Sequence, residues 1–412
     1  MSNRDLASSK EVQKQIERSI TPSRIEDLLS KLLRYPSYQT DLFENEPMVL
    51  NFIREVVYPE LNGAGIRDLM IDETGNLIAK LGSPQKGSGL VLVSYAMTGA
   101  PETMKEPFSG RVLPGDSFGL KGNVVWGRGA CEQKSTLGAM LTAIRVLSEL
   151  DLEQSTDLVL VVSTAGESGT HDSLRQVVEI DGVRGEWGIV AGEQIIQIAN
   201  KGRVDVSITV EGKPYHSRMP WKASDAIQGM FNVYGRLHPK LIPYPSSNSH
   251  PNLGQATLVS TGIQSFPKGD LHTTQSKCIL NLDRRLLPGE DPAAATRQIT
   301  EAVGTLDDLS VKVEMGNYLL PSEVPSDCKL VKSLSNAITK TTGLEPELEY
   351  SHAAYDAGYL NSKGIQTVRY GAGNDYFPAL YHHTDTDIVS VIDVMNVSKT
   401  LCYLALQDKD SL

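Results

Sequence analysis

The sequence predicts an α/β catalytic domain with a mostly parallel sheet and an inserted, ferredoxin-like α+β lid domain, and three observations predict it. Short runs apolar at every position, Leu90-Val91-Leu92-Val93, 158–162 and 187–191, alternate with helical stretches. Such runs are strands buried on both faces, as in a parallel sheet covered by helices. From Val204 the pattern changes, with Val204, Val206, Ile208 and Val210 alternating with Asp205, Ser207, Thr209 and Glu211, as in a strand with one wet face. After Pro321 the first pattern returns.

Taken in order, Thr21 and Pro22 start a helix as cap and first helical residue, Ile25, Leu28, Leu29, Leu32 and Leu33 line one face, and Pro36 ends it. After the first apolar strand a Gly127-Arg128-Gly129 loop opens a second helix, with Leu137, Met140, Leu141, Ile144 and Leu147 at helical spacing. The insert reads as strand, helix near 223–237, strands near 255–260 and 277–283, helix after Pro292 and strand near 311–315, the split β-α-β-β-α-β order. Helices near 327–341 and 393–406 and a strand near 367–370 complete the first domain. The expected division is 1–202 with 319–412 as the α/β domain and 203–318 as the inserted lid.

At 412 residues with 40% apolar and 22% charged content, the chain is long enough for two cored domains. A net charge of −11 excludes a basic nucleic-acid footprint. No apolar run reaches bilayer length and no apolar signal core follows Met1, so a cytoplasmic protein with no membrane partner is expected. Cys131, Cys278, Cys328 and Cys402 form no CxxC pair and are expected as reduced thiols.

Ligands of open α/β sheets bind beyond the carboxyl ends of strands. The loops there carry Tyr95 and Met97, Glu132, Glu167 and Glu193, and His383 lies in a later loop. Carboxylates and an imidazole together suit Zn or Mn. Singly, each Glu reads equally as a surface charge or a helix cap.

The ordered blocks Gly127-Arg128-Gly129 with Lys134, Thr164-Ala165-Gly166-Glu167-Ser168-Gly169, Gly192-Glu193, Gly212-Lys213-Pro214-Tyr215-His216-Ser217, Leu282 to Gly289, Tyr355-Asp356-Ala357, Gly371-Ala372-Gly373 and His383 weigh these readings differently. Together they resemble the metallopeptidase and amidohydrolase superfamily of carboxypeptidase G, acetylornithine deacetylase, succinyl-diaminopimelate desuccinylase and aminoacylase, over nearly the whole chain. The resemblance implies a metal site only partly kept. Where the family has a His-x-Asp pair, this chain has Tyr95 and Met97; where it has a base followed by a ligand, Gly166 and Glu167. Glu132 matches the bridging aspartate, His383 a ligand histidine, and Asp387 a common downstream carboxylate. The implied cofactor is one divalent ion, Mn or Zn, per subunit, held by Glu132, Glu167 and His383. A one-residue slip would instead make Glu167 the base.

With the usual base missing, Glu193 becomes the candidate general base, or it merely bonds Tyr95. His216 resembles a lid histidine that reaches the partner's site, which implies a homodimer through the lid, or a larger oligomer. Arg285 and the backbone of Gly371 and Gly373 resemble a subsite for the carboxylate of a small substrate. The family also implies a cis peptide between Glu132 and Gln133. The pattern is similar to a divergent branch with 5-nitroanthranilate aminohydrolase, which implies hydrolytic deamination of an aryl amine, with Tyr95 or the metal at the amino end. Conventional hydrolysis of N-acyl amino acids or dipeptides and a non-catalytic scaffold stand as alternatives, and a Cys131–His383 nucleophile ranks last.

Overall fold

The computed structural model describes residues 3–40, 46–82, 89–152, 157–166, 169–241, 249–267, 272–374 and 385–407. The strands Leu158–Ser163, Leu90–Tyr95, Trp187–Val190 and Gln366–Arg369 lie side by side in that order, all parallel, at the centre of a nine-stranded sheet. Leu77–Leu81 and Asp68–Ile71 extend one side antiparallel. On the other side, Ile196–Asn200 pairs antiparallel with Gln366–Arg369 and Ser322–Glu323 and parallel with Leu348–Ser351. The sheet is therefore mixed rather than mostly parallel. Flanking strands such as Asp68–Ile71 alternate exposed and half-buried residues, so they lack the continuous apolar run that marks the centre.

That run divides by parity. Leu90 and Leu92, with Leu158, Leu160 and Val162, face a core shared with the helices Pro22–Arg34, Gln133–Glu149 and Val391–Leu406. Val91, Val93 and Tyr95, with Val159 and Val161, face a second core on the opposite side. Both faces being dry, each fully buried Leu or Val contributes about 1.5–3 kcal/mol, and the central strands become the rigid base of the loops beyond them. A helix Asn3–Ser19, not foreseen from sequence, precedes Pro22–Arg34, which starts as its sequence dictates, with the Thr21 hydroxyl accepting from the Arg24 N–H.

The insert is a four-stranded antiparallel sheet ordered Thr257–Phe266, Lys277–Leu286, Gly202–Glu211, Ser310–Leu319. Val204, Val206, Ile208 and Val210 pack with Met230 of the helix Ala226–Leu241 and Ile299 of the helix Pro292–Val303, while the intervening polar residues keep solvent contact. The chain enters the insert from Ile196–Asn200 and returns through Ser322–Glu323. Gly202 marks the crossing, where a Cβ would meet the Leu319 carbonyl oxygen and Pro321 nitrogen, each at 2.6 Å. No described helix is long and apolar enough to cross a membrane.

Candidate active site

Three loops meet beyond the carboxyl ends of the central strands. The Gly371 N–H donates to the Glu193 carbonyl at 2.8 Å, the Gly373 N–H to that of Gly192 at 3.0 Å, and the Asn374 N–H to that of Cys131 at 2.8 Å. Thr136 clamps the junction, its hydroxyl donating to Gly192 O and accepting from the Ala372 N–H. This brings the segments bearing Glu132 and Glu193 together, both side chains half-buried. Glycine is required in this seam, since a Cβ on Gly371 would collide with Gly192 O and one on Gly373 would lie 2.7 Å from it. The N–H groups of Gly371 and Gly373, expected to hold a substrate anion, are thus used inside the protein.

Glu132 occupies the position before the helix Gln133–Glu149, yet its side chain does not cap it. The Glu132–Gln133 peptide is trans, against the expected cis form; among the described residues the cis bond is Phe266–Pro267. The preceding loop is held by Asp387, whose buried carboxylate accepts from the N–H groups of Gly129 and Cys131, both at 2.7 Å, and faces Arg128 at 3.4 Å. Burial pushes the Asp387 carboxyl up, against the pull of those N–H groups and Arg128. Burial, then Asp387 and Glu132, also push the Cys131 thiol well above its usual range, which disfavours the thiolate that a nucleophile needs. Lys134, another residue of the motif, is wholly buried and donates to the Leu32 and Tyr35 carbonyls at 2.9 and 2.6 Å, at the end of the helix Pro22–Arg34. Its function is to cap that helix.

Glu193 is oriented by Gln197, which donates to its Oε2 at 3.3 Å and to Glu349 at 2.6 Å. Arg369 fixes Gln197 in turn, donating to its Oε1 at 2.7 Å while stacking on the Tyr355 ring. Tyr95, weighed from sequence as a partner of Glu193, has a described partner of its own. It is fully buried and its hydroxyl donates to Asp356 Oδ2 at 2.8 Å, so it stands as a wall of the site rather than as a group holding a substrate. The other Asp356 oxygen lies 2.6 Å from His171 Nδ1, and His171 Nε2 accepts from the Leu320 N–H at 3.0 Å. That acceptance places the ring proton on Nδ1, donating to Asp356. Gln197, His171 and Arg369 were not singled out from sequence, and Asp356 figured there only within its block, with no role. His171 had a signal, a titratable residue in a loop following a central strand.

Arg285 and His216 lie on the insert. Arg285 is held by both oxygens of Asp283, at 3.0 and 3.1 Å, so an external carboxylate would have to replace that partner. His216 is exposed, accepts from the Arg218 N–H and lies parallel to His272 with centroids 6.3 Å apart. Glu167 and His383 lie outside the described residues. Among the described residues no three His, Cys, Asp or Glu side chains are grouped to hold an ion. The oxygen donors Glu132 and Glu193 suit a hard divalent cation, whereas Tyr95 and Met97 supply nothing for a second.

Comparison with known proteins agrees with this architecture. The chain is 29% identical over 329 residues to a putative LysW-lysine/LysW-ornithine hydrolase of Pyrobaculum aerophilum, covering 78% of this chain and 82% of that one. It is 26% identical over 285 residues to a succinyl-diaminopimelate desuccinylase of Helicobacter hepaticus, covering 66% and 70%. The fold superposes on the Bacillus subtilis YXEP protein, a dinuclear metal-binding peptidase, with a TM-score of 0.65, 14% identity and coverage of 95% and 99%. These relatives carry names of amide-bond chemistry, and none supports the 5-nitroanthranilate branch. The model of peptidase family M20/M25/M40 matches residues 100–407, and the chain belongs to that family of metallohydrolases acting on carbon–nitrogen bonds.

Proposed function

We propose that the chain hydrolyses the amide bond of a small carboxylate substrate, an N-acyl amino acid or a short peptide. The observation that carries this is the seam joining the Glu132 and Glu193 segments at the carboxyl ends of the central strands, in a family that cuts amides. A divalent ion held by Glu132, with Glu167 and His383, would acidify water and polarise the amide carbonyl. Glu193, aimed by Gln197, takes the water proton as the oxygen adds to the carbonyl carbon, then delivers it to the amine as the C–N bond breaks. Arg285 exchanges Asp283 for the substrate carboxylate, an exchange of like for like. His216, exposed on the insert, serves the site of a second subunit.

The insert has a surface for that subunit. Thr257–Phe266 is the edge strand of its sheet, and a groove of 390 Å³ lined by Met230, Phe231, Tyr234 and Ile263 runs beside it. Phe231 is 65% and Ile263 61% exposed in the single chain, a concentration of apolar surface that pairing of two copies would cover.

The test is a panel of N-succinyl and N-acetyl amino acids, dipeptides and 5-nitroanthranilate, given to protein loaded with Zn or Mn and to chelator-treated protein. Metal-dependent release of a free amine from an amide supports the reading; ammonia from 5-nitroanthranilate without amide cleavage would replace it with the aryl-amine reaction. Glu193→Gln should lower kcat by about 100- to 10,000-fold, and parental turnover would remove Glu193 as the base.

A further inference from the structure

We infer that Tyr95 and Gly166 form one steric unit, a fixed plug that leaves the site room for a single metal ion and no side-chain base at position 166. The inference rests on the metallohydrolase reading for its meaning, but its geometry stands by itself. The Tyr95 ring lies directly against Gly166, so that a Cβ built there would fall inside the ring at Cδ1 and Cε1. Any residue other than glycine at 166 therefore needs the ring to move. The ring has nowhere to go: it is fully buried in the core that contains Val93, Val161 and Val190, and its hydroxyl is fixed by Asp356.

Asp356 is itself immobilised, because His171 holds its second oxygen and is in turn anchored by the Leu320 N–H. His171 keeps a left-handed backbone, φ 61°, a conformation that costs a non-glycine residue free energy and persists where its surroundings enforce it. Asp356 and His171 are thus positioning residues: they act on the site through Tyr95. Two departures that look separate in the sequence, an aromatic ring at 95 and a missing side chain at 166, are one change in packing. The consequence differs from the two-ion arrangement named for the Bacillus subtilis neighbour. With a phenol donating to Asp356 at 95 and a thioether at 97, no donor set for a second ion stands beside Glu193 among the described residues.

The test joins a stability cycle to a count of ions. Gly166→Ala, Tyr95→Ala and the double variant are compared by thermal melting. Separately, wild type and a Tyr95→His/Met97→Asp variant are dialysed against Zn or Mn and their bound metal measured. The plug requires that Gly166→Ala lower the melting temperature in the parental chain and be tolerated in the Tyr95→Ala background. It also requires that wild type bind no more than one ion per chain and the Tyr95→His/Met97→Asp variant bind one more than wild type. An equal Gly166→Ala penalty in both backgrounds, two ions in wild type, or no gain in the variant overturns it. If wild type binds no ion and cuts no amide while the cycle and the gain appear, the hydrolase reading fails and the plug remains.

Discussion

At Asp356 a single carboxylate serves two buried donors, the Tyr95 hydroxyl at 2.8 Å and His171 Nδ1 at 2.6 Å. Asp356→Asn keeps the shape but replaces one acceptor oxygen by an N–H₂, leaving a buried donor facing a donor. Loss of one such pair costs about 1–3 kcal/mol, and urea unfolding should show a fall of that size; an unchanged midpoint would mean that the network contributes no stability. Legibility in the sequence follows the same division between local and distant partners. Glu193 could be found because it follows a recognisable strand and Glu132 because it follows the Gly127-Arg128-Gly129 block, but the partner of Tyr95 lies 261 positions away. For that reason the bond of Tyr95 to Asp356 was not foreseen. Gly371 and Gly373 were legible as glycines needed by the site, whereas their task, close approach to Gly192 rather than anion binding, depends on which loop they face.

Among the elements, the central strands and the helices with a clear apolar stripe were legible, as in Pro22–Arg34, where Ile25, Leu28, Leu29, Leu32 and Leu33 are all buried, whereas Asn3–Ser19 and Pro47–Phe52 were not foreseen. The antiparallel flanks were not, since half-exposed strands of four or five residues carry little periodic signal. Lys134 gives a prediction at this scale. Burial lowers its amine to about 7, and its two carbonyl acceptors match the two N–H donors of a neutral amine. The folded-state value lies below that of the unfolded chain, so between about pH 7 and 10 the unfolded state binds the extra proton. Lys134 should therefore make stability rise with pH across that window, by at most about 1.4 kcal/mol per pH unit, and leave it flat below. Urea unfolding of wild type and Lys134→Met should differ in slope there; parallel pH profiles would show that the amine stays charged in the fold.

For the whole molecule, the insert presents its apolar edge away from its own core, with Val259 55%, Ile263 61% and Phe231 65% exposed. If two chains pair through that face, Phe231→Asp combined with Ile263→Asp should convert a dimer to monomer in sedimentation velocity while leaving the melting of each chain nearly unchanged. A parental chain that sediments as a monomer at assay concentration would remove both the interface and the cross-subunit role of His216.

The seam of Gly192, Gly371, Gly373 and Asn374 is made from backbone atoms and one threonine hydroxyl. A frame built that way demands glycine where it closes and leaves the neighbouring positions to carry the chemistry. Positions 132 and 193 are sockets on that chassis, whereas 95 and 166 change only together, as a ring facing a bare glycine. The same construction lets a chain retain the outline of its family while the side chains at 95 and 97 are exchanged.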